Sequence, residues 1–174
     1  MLGIIMAGGK SSRMGSEKLV LKVHGKVVIE YAIEAMQNSK VSEYYIAISP
    51  NASLTARYLG NRERLLDTQG NGYCEDIALL ISRFKVPFLT LSGDSMFVKS
   101  THIDELIDHY TRNSMASVVI VDNKINYVGL NIVVPGNIDD EPYYFKDPLL
   151  ALNINTREDL ERADSIMAER SREK

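Results

Sequence analysis

Residues 6–18 read MAGGKSSRMGSEK and interleave glycines, serines and cations directly after an apolar run. Glycines let the backbone approach an anion closely and turn several N–H groups toward it. Arg13 and Lys18 add the fixed positive charge that a triphosphate requires. A plain turn needs one or two glycines and no interleaved cations, so the segment reads as a phosphate-binding loop. Two familiar loops do not fit it. A P-loop has four residues between its first glycine and Gly-Lys-Ser, whereas Gly3 and Gly9 have five between them, and G-x-G-x-x-G is absent.

Asp94 is the next candidate. It follows the apolar run 86–91 in Ser92-Gly93-Asp94, which puts a carboxylate at a strand end. One Asp with phosphate oxygens and water makes an ordinary Mg²⁺ site, because magnesium keeps much of its hydration. Asp94 could instead cap the next helix, but Ser95, Ser100 and Thr101 are available for that. Asn153 could contact metal or phosphate, or tie the last helix to the sheet. Gly129, inside an apolar strand, points to close approach of a ligand or of backbone, and a bulge would look the same. His24, His102 and His109 have no metal-ligand spacing. Cys74 reads as a small packing residue. Tyr143, Tyr144 and Phe145 could stack on a large acceptor or pack on their own domain.

These residues need a scaffold, and the periodicity supplies one. Apolar runs at 2–7, 44–48, 64–66, 86–91, 116–121 and 127–134 read as strands, the last two joined by a turn at 122–124. Helical spacing predicts helices over 27–37, 73–84 and 101–112, a weak one after Asn51, and a final one capped by Thr156. Glu158 and Asp159 suit that helix's first turn. Residues 141–148 are expected to be irregular. Strands alternating with amphipathic helices imply an α/β, Rossmann-like three-layer sandwich with a mainly parallel central sheet, one domain over 1–174. In such sheets ligands lie at the carboxyl ends of the strands.

Composition narrows the function. The 174 residues are 45% hydrophobic and 25% charged, with a net charge of −3 and no basic block, which disfavours nucleic acid as a partner. A single cysteine rules out an internal disulfide and a thiolate zinc cage, and fits a reducing cytoplasm. The apolar opening is too short for a signal peptide's core, and no stretch is long enough to cross a membrane, so the expected location is cytoplasmic without membrane contact.

The opening loop is similar to the "AGGxSxRMGxxK" signature of glycine-rich-loop nucleotidyltransferases. Ser92-Gly93-Asp94 resembles that superfamily's metal-binding Asp, and residues 153–160, NINTREDL, resemble its closing "NxNTxxDL" element. Within it, "GxGYxED" at 70–76 and a "GxNVV"-like strand at 129–133 resemble archaeal-type GTP:adenosylcobinamide-phosphate guanylyltransferases. The resemblance implies a nucleotide-diphospho-sugar-transferase-like fold that moves GMP from GTP to a phosphorylated acceptor in cobalamin biosynthesis. Relatives that move GMP onto molybdenum cofactor or nucleotides onto sugar phosphates share the first loop. A non-catalytic nucleotide-binding regulator is the reading from another class, and it would not need Arg13, Lys18 and Asp94 together. A homodimer is compatible with all of these.

The implied site is extensive. Ala7, Gly8, Gly9, Lys10, Ser11, Ser12 and Gly15 would hold the phosphates, with Gly93, Gly129 and Asn153 nearby. Segment 67–76 would read the base, Asp67, Gln69, Gly70, Gly72 and Glu75 being the candidates. Guanine asks for acceptors facing its N1–H and 2-amino group, which Asp67, Glu75 and carbonyls near Gly70 could supply. Glu75 and Asp76 could equally be first-turn helix acids. Arg13 and Lys18 would neutralise the leaving pyrophosphate, while Asp94 and Asn153 would place Mg²⁺. The acceptor phosphate would attack without a general base, since its second pKa of about 6 leaves it ionised at neutral pH.

Overall fold

The computed structural model describes residues 1–9, 14–137 and 139–172. The strands are β1 (Leu2–Met6), β2 (Lys22–Val23), β3 (Lys26–Val27), β4 (Glu43–Ile48), β5 (Leu65–Asp67), β6 (Phe88–Ser92), β7 (Ser114–Val121), β8 (Lys124–Val133) and β9 (Asp140–Phe145). The helices are α1 (Val28–Gln37), α2 (Ser53–Leu59), α3 (Tyr73–Phe84), α4 (Ser100–Asp108) and α5 (Arg157–Arg172). Among the described residues, seven strands form one sheet in the order β5-β4-β1-β6-β8-β7-β9, and β2 and β3 form a separate small hairpin.

The sheet is mainly parallel, and β8 runs against both its neighbours. The central strands are apolar along their length because both faces are covered. Ile4 and Ile5 point to opposite faces and both are fully buried. On one face α1 packs with α4 and α5, burying Ile29, Met36, Ile103 and Ala163. On the other, Leu80 of α3 packs on Ile4, Ala47, Leu66 and Phe88. β1 pairs with β4 on one side and with β6 on the other. The chain therefore reverses its direction of travel across the sheet at β1, which opens a crevice at that strand's carboxyl end.

Several expectations are corrected. Residues 141–148 are not an irregular insert, since β9 pairs parallel with β7 at the sheet edge and a short 3₁₀ turn, Pro148–Ala151, succeeds it. An edge strand tolerates Pro142, whose missing N–H breaks no central ladder. Tyr143 and Phe145 pack on His109 and His102, with ring centroids 5.1 and 5.5 Å apart, so those two rings belong to their own fold. Helix α4 stops at Asp108, and Arg112 takes a positive φ of 76° before β7. The β7–β8 turn is tighter than expected, because Asp122 and Asn123 both adopt positive φ, as a two-residue hairpin loop requires. Asn51 does not cap α2; its N–H donates to Ser49 Oγ and its side chain to the Gly70 carbonyl. Cys74 is exposed rather than packed. Thr156 does cap α5: its Oγ1 accepts from the Asp159 N–H, and Asp159 Oδ2 accepts from Thr156 N and Asn155 N.

Gly129 is both a bulge and a close approach of protein: between the pairs Ala116–Asn131 and Val118–Tyr127 the register shifts, leaving Val128, Gly129 and Leu130 opposite Ser117. Its φ is +81°, and a Cβ there would lie 2.9 Å from both Ser92 Cβ and Ser95 Oγ. Ser95 Oγ also donates to the Val128 carbonyl at 3.0 Å, so this glycine lets β8 press against the turn that carries Asp94. Gly129→Ala should therefore cost roughly 1–3 kcal/mol and lower the melting temperature by several degrees. An unchanged melt would show that the 92–95 turn gives way freely.

Candidate active site

The glycine loop leaves β1 at the crevice, and its base is pinned on both sides. Ala7 N–H donates to the Ala47 carbonyl, Gly93 N–H to the Met6 carbonyl, and Ser49 Oγ to the Gly8 carbonyl. Gly9 and Gly15 are exposed. Lys10, Ser11, Ser12 and Arg13 lie outside the described residues. Beyond them Met14 and Leu19 are buried in the core, which anchors the far side of the loop.

Between those anchors stand Glu17 and Lys18. The Glu17 carboxylate reaches α2, accepting from Leu54 N and from Thr55 N and Oγ1, each at 2.8 Å. It thereby satisfies N–H groups that α2's own residues leave open, since Ala52 offers no side-chain cap. Burial alone pushes the Glu17 carboxyl up, but the hydrogen bonds from Leu54 and Thr55 outweigh it and hold its pKa below the ordinary 4.5. Lys18 points the other way. Its ammonium pairs with Asp94 Oδ2 and donates to Asn155 Oδ1 at 3.2 Å. Ser92 Oγ donates to the other Asp94 oxygen at 2.5 Å. Both partners are largely shielded, with side-chain exposures of 17% and 7%. Asp94 thus does not cap α4, which starts at Ser100.

Asn155 is a site residue that residue type alone does not single out, although it sits inside the NINTREDL element. The α5 cap positions its backbone. Asn153 takes a neighbouring post, its Oδ1 accepting from Ser95 Oγ at 3.2 Å. Asp94, Asn153 and Asn155 offer hard oxygens of the kind Mg²⁺ takes, and an ammonium already stands against the Asp94 carboxylate, so the position suits a cation. Among the described residues no three His, Cys, Asp or Glu side chains cluster as a metal cage, so a metal here would draw on other oxygens as well.

Across the crevice, segment 70–76 folds back on the loop. Gly70 has φ +66°, and a Cβ would come within 2.6 Å of Ser49 Oγ and 2.7 Å of Asn51 Nδ2. Asp76 is buried and accepts the Gly70 N–H at 3.2 Å. Gly8 and Gly9 on one side and Gly70, Asn71 and Gly72 on the other enclose a cavity of about 330 Å³, with Asp76 and Ser92 in its wall. Asp67, Gln69 and Glu75 are exposed and stand outside that wall. Asp76, which its sequence position marks only as a helix-end acid, is the carboxylate that lines it. The histidines are elsewhere: His24 contacts Ser171, His109 packs on Tyr143, and His102 Nδ1 accepts the Lys99 N–H. Burial pushes the His102 pKa down, which suits that acceptor role.

A glycine loop thus leaves β1 at the strand-order reversal and carries a lysine paired with the shielded Asp94. The chain belongs to the MobA-like NTP transferase domain family, which it matches over residues 3–172. It is similar to adenosylcobinamide-phosphate guanylyltransferase of Methanocaldococcus jannaschii, 31% identical over 94% of this chain and 96% of that protein. It is also similar to a probable molybdenum cofactor guanylyltransferase of Thermococcus sibiricus, 28% identical over 63% of this chain and 56% of that one. The molybdopterin-guanine dinucleotide biosynthesis protein A structure from Archaeoglobus fulgidus superposes with a TM-score of 0.70 at 17% identity, covering 97% of this chain and 100% of its own. No described helix is long and apolar enough to cross a membrane.

Glu17 allows a direct check of how the loop is held. Folding lowers its pKa, so its stabilisation is fully present above the ordinary carboxylate range and is lost as pH falls through the folded value. Glu17→Gln should melt lower than wild type at pH 7, by an amount corresponding to about 1 kcal/mol. The gap should close on acidification below 4.5. A gap that persists at low pH would assign the loss to packing instead.

Proposed function

We propose that this enzyme transfers GMP from GTP to adenosylcobinamide phosphate and releases pyrophosphate. The observation that carries the reading is the glycine-walled cavity, whose Ser92 hydrogen-bonds the Asp94 that pairs with Lys18, in a chain similar along its length to a guanylyltransferase of that name. GTP would lie with its base and ribose between the loop and residues 70–72 and its phosphates over Gly8 and Gly9. Backbone groups near Gly70 and the free oxygen of Asp76 support guanine, which needs acceptors along its N1–H and 2-amino edge.

An acceptor phosphate oxygen attacks the α-phosphorus in line. The new P–O bond forms as the α–β bridge breaks, and that electron pair leaves with pyrophosphate. No general base is needed, because a phosphomonoester is already ionised at neutral pH. Alignment and charge neutralisation then carry the reaction. Lys18, with Arg13 from the same loop, offsets the charge growing on the leaving group. Asp94 and Asn153 would hold Mg²⁺, which supplies further neutralisation at the phosphates when bound. Ser92 and Asn155 keep Asp94 and Lys18 in place.

Three measurements test this. GTP should raise the melting temperature more than ATP, CTP or UTP, a ligand at about a hundred times its Kd adding roughly 2.7 kcal/mol. GTP with adenosylcobinamide phosphate should then release pyrophosphate; release with molybdopterin or a sugar 1-phosphate instead would overturn the acceptor. Asp94→Asn keeps shape and removes charge, so turnover should fall by roughly 10²–10³-fold while the fold persists. Undiminished turnover would leave Asp94 a structural partner of Lys18.

A further inference from the structure

The two glycine segments that wall the nucleotide cavity rest on one side chain that is not itself in the wall. Ser49 directly follows β4 and is 5% exposed. The cavity is lined by Gly8, Gly9 and residues 70–72, and Ser49 lies behind them. Its Oγ donates to the Gly8 carbonyl at 2.7 Å and accepts the Asn51 N–H at 3.2 Å. Gly8 closes tightly on it: a Cβ there would stand 3.1 Å from Ser49 Cβ and 3.3 Å from its Oγ. Gly70 comes closer still, with 2.7 and 2.6 Å to the same two atoms. Asn51 Nδ2 donates to the Gly70 carbonyl at 3.3 Å, and Asp76 Oδ1 accepts the Gly70 N–H at 3.2 Å, so the Gly70 peptide is held in place against Ser49.

We infer that Ser49 is a positioning residue that sets base selectivity by clasping the phosphate loop to the base-reading segment. The inference rests on the proposed function for which segment meets phosphate and which meets the base. Ser49 touches neither part of the nucleotide and acts through Gly8 and Gly70. The physical reason is a difference in range. Attraction between a triphosphate and the loop's cations falls only as the inverse of distance, so a small shift costs phosphate binding little. Hydrogen bonds to a base edge weaken steeply with distance and angle. Slack between the two segments therefore falls mainly on base reading. Glycine at 8 and at 70 is what lets both backbones reach the same side chain, since a Cβ at either position would push that segment off Ser49. The clasp also works in the other direction, because an anion that steadies Gly8 steadies Gly70 through Ser49. Base contacts are equal in the ground and transition states, so the clasp acts on binding and not on turnover.

The test compares wild type with Ser49→Ala, which removes the hydroxyl and keeps the Cβ. Dissociation constants are measured for GTP, for ITP, which lacks only the 2-amino group of the base, and for inorganic tripolyphosphate. In Ser49→Ala the Kd and KM for GTP should rise about tenfold and the Kd for ITP by less, so that discrimination between the two shrinks. The tripolyphosphate Kd and the kcat at saturating GTP should stay within about twofold of wild type. Equal weakening of GTP and ITP would overturn the clasp, as would a fall in kcat at unchanged KM, which a smaller folded fraction produces. Hydrogen exchange reads the coupling without any base. Tripolyphosphate alone should slow exchange in both 7–9 and 70–76 of wild type, but only in 7–9 of Ser49→Ala. Slowing confined to 7–9 in wild type would overturn the clasp even with GTP established as donor. No slowing in either segment would overturn the phosphate-loop reading, and the clasp with it. If another nucleotide binds wild type best, the GMP assignment falls alone, provided that nucleotide's advantage over its nearest competitor shrinks in Ser49→Ala.

Discussion

The site hangs on the way β1 is shared. Parallel pairing to β4 on one side and β6 on the other buries both faces of β1 and leaves its carboxyl end between diverging connections. The segment leaving β1 must enter that crevice, and that segment is the glycine loop. The backbone hydrogen bonds from Ala7 to β4 and from Gly93 to Met6 extend the pairing past the strand ends. The glycine loop is thereby mounted on a strand that is paired on both sides and buried on both faces.

Beyond the strand ends, charge takes over from backbone pairing. Lys18 and Asp94 are 76 residues apart, and Asn155 is 137 residues from Lys18, yet the three side chains meet in one hydrogen-bonded cluster. Removing two charges from water is costly, and the attraction between them repays it only with further hydrogen bonds. Ser92 and Asn155 supply those. A shielded pair of this kind is a modest source of stability but a strong source of register, because any other arrangement strands one charge. It fixes the β1 loop, the β6 turn and the start of α5 relative to one another. Glu17 completes the arrangement by fastening the same loop to α2.

The two faces of the sheet have different fates. One is closed by α1, α4 and α5, while the other is covered by α3 alone over β1, β4 and β6. The edge pair β7–β9 and the part of β8 before Val133 extend the sheet past the cluster that α3 covers. The cavities lie where the covered and uncovered halves meet, with Ser92 and Gly129 at the boundary. Gly129 lets the two halves touch, since any side chain there would push β8 off the Asp94 turn.

Much of this was legible in residue order. Alternating apolar strands and amphipathic helices determined a mainly parallel α/β sheet, because a strand buried on both faces must be apolar throughout. The glycine and cation spacing after β1, Asp94 after β6 and the Thr156–Asp159 cap were local signals, each carried within a few residues. Strand β9 was hidden because Pro142 and mixed polarity read as loop, and an edge partner supplied the pairing. The hairpin β2–β3 is two residues a side, too short to show a period. Among the acids, spacing marked Asp67 and Glu75, whereas the fold turned Asp76 into the cavity through its bond to Gly70. Residue order determined most of the elements and marked the glycine loop as the candidate phosphate binder. Tertiary structure alone decided which carboxylate faces the crevice, that Lys18 and Asn155 converge on Asp94, and that Glu17 caps α2. Each of these depends on distant elements closing together, and no local period encodes that.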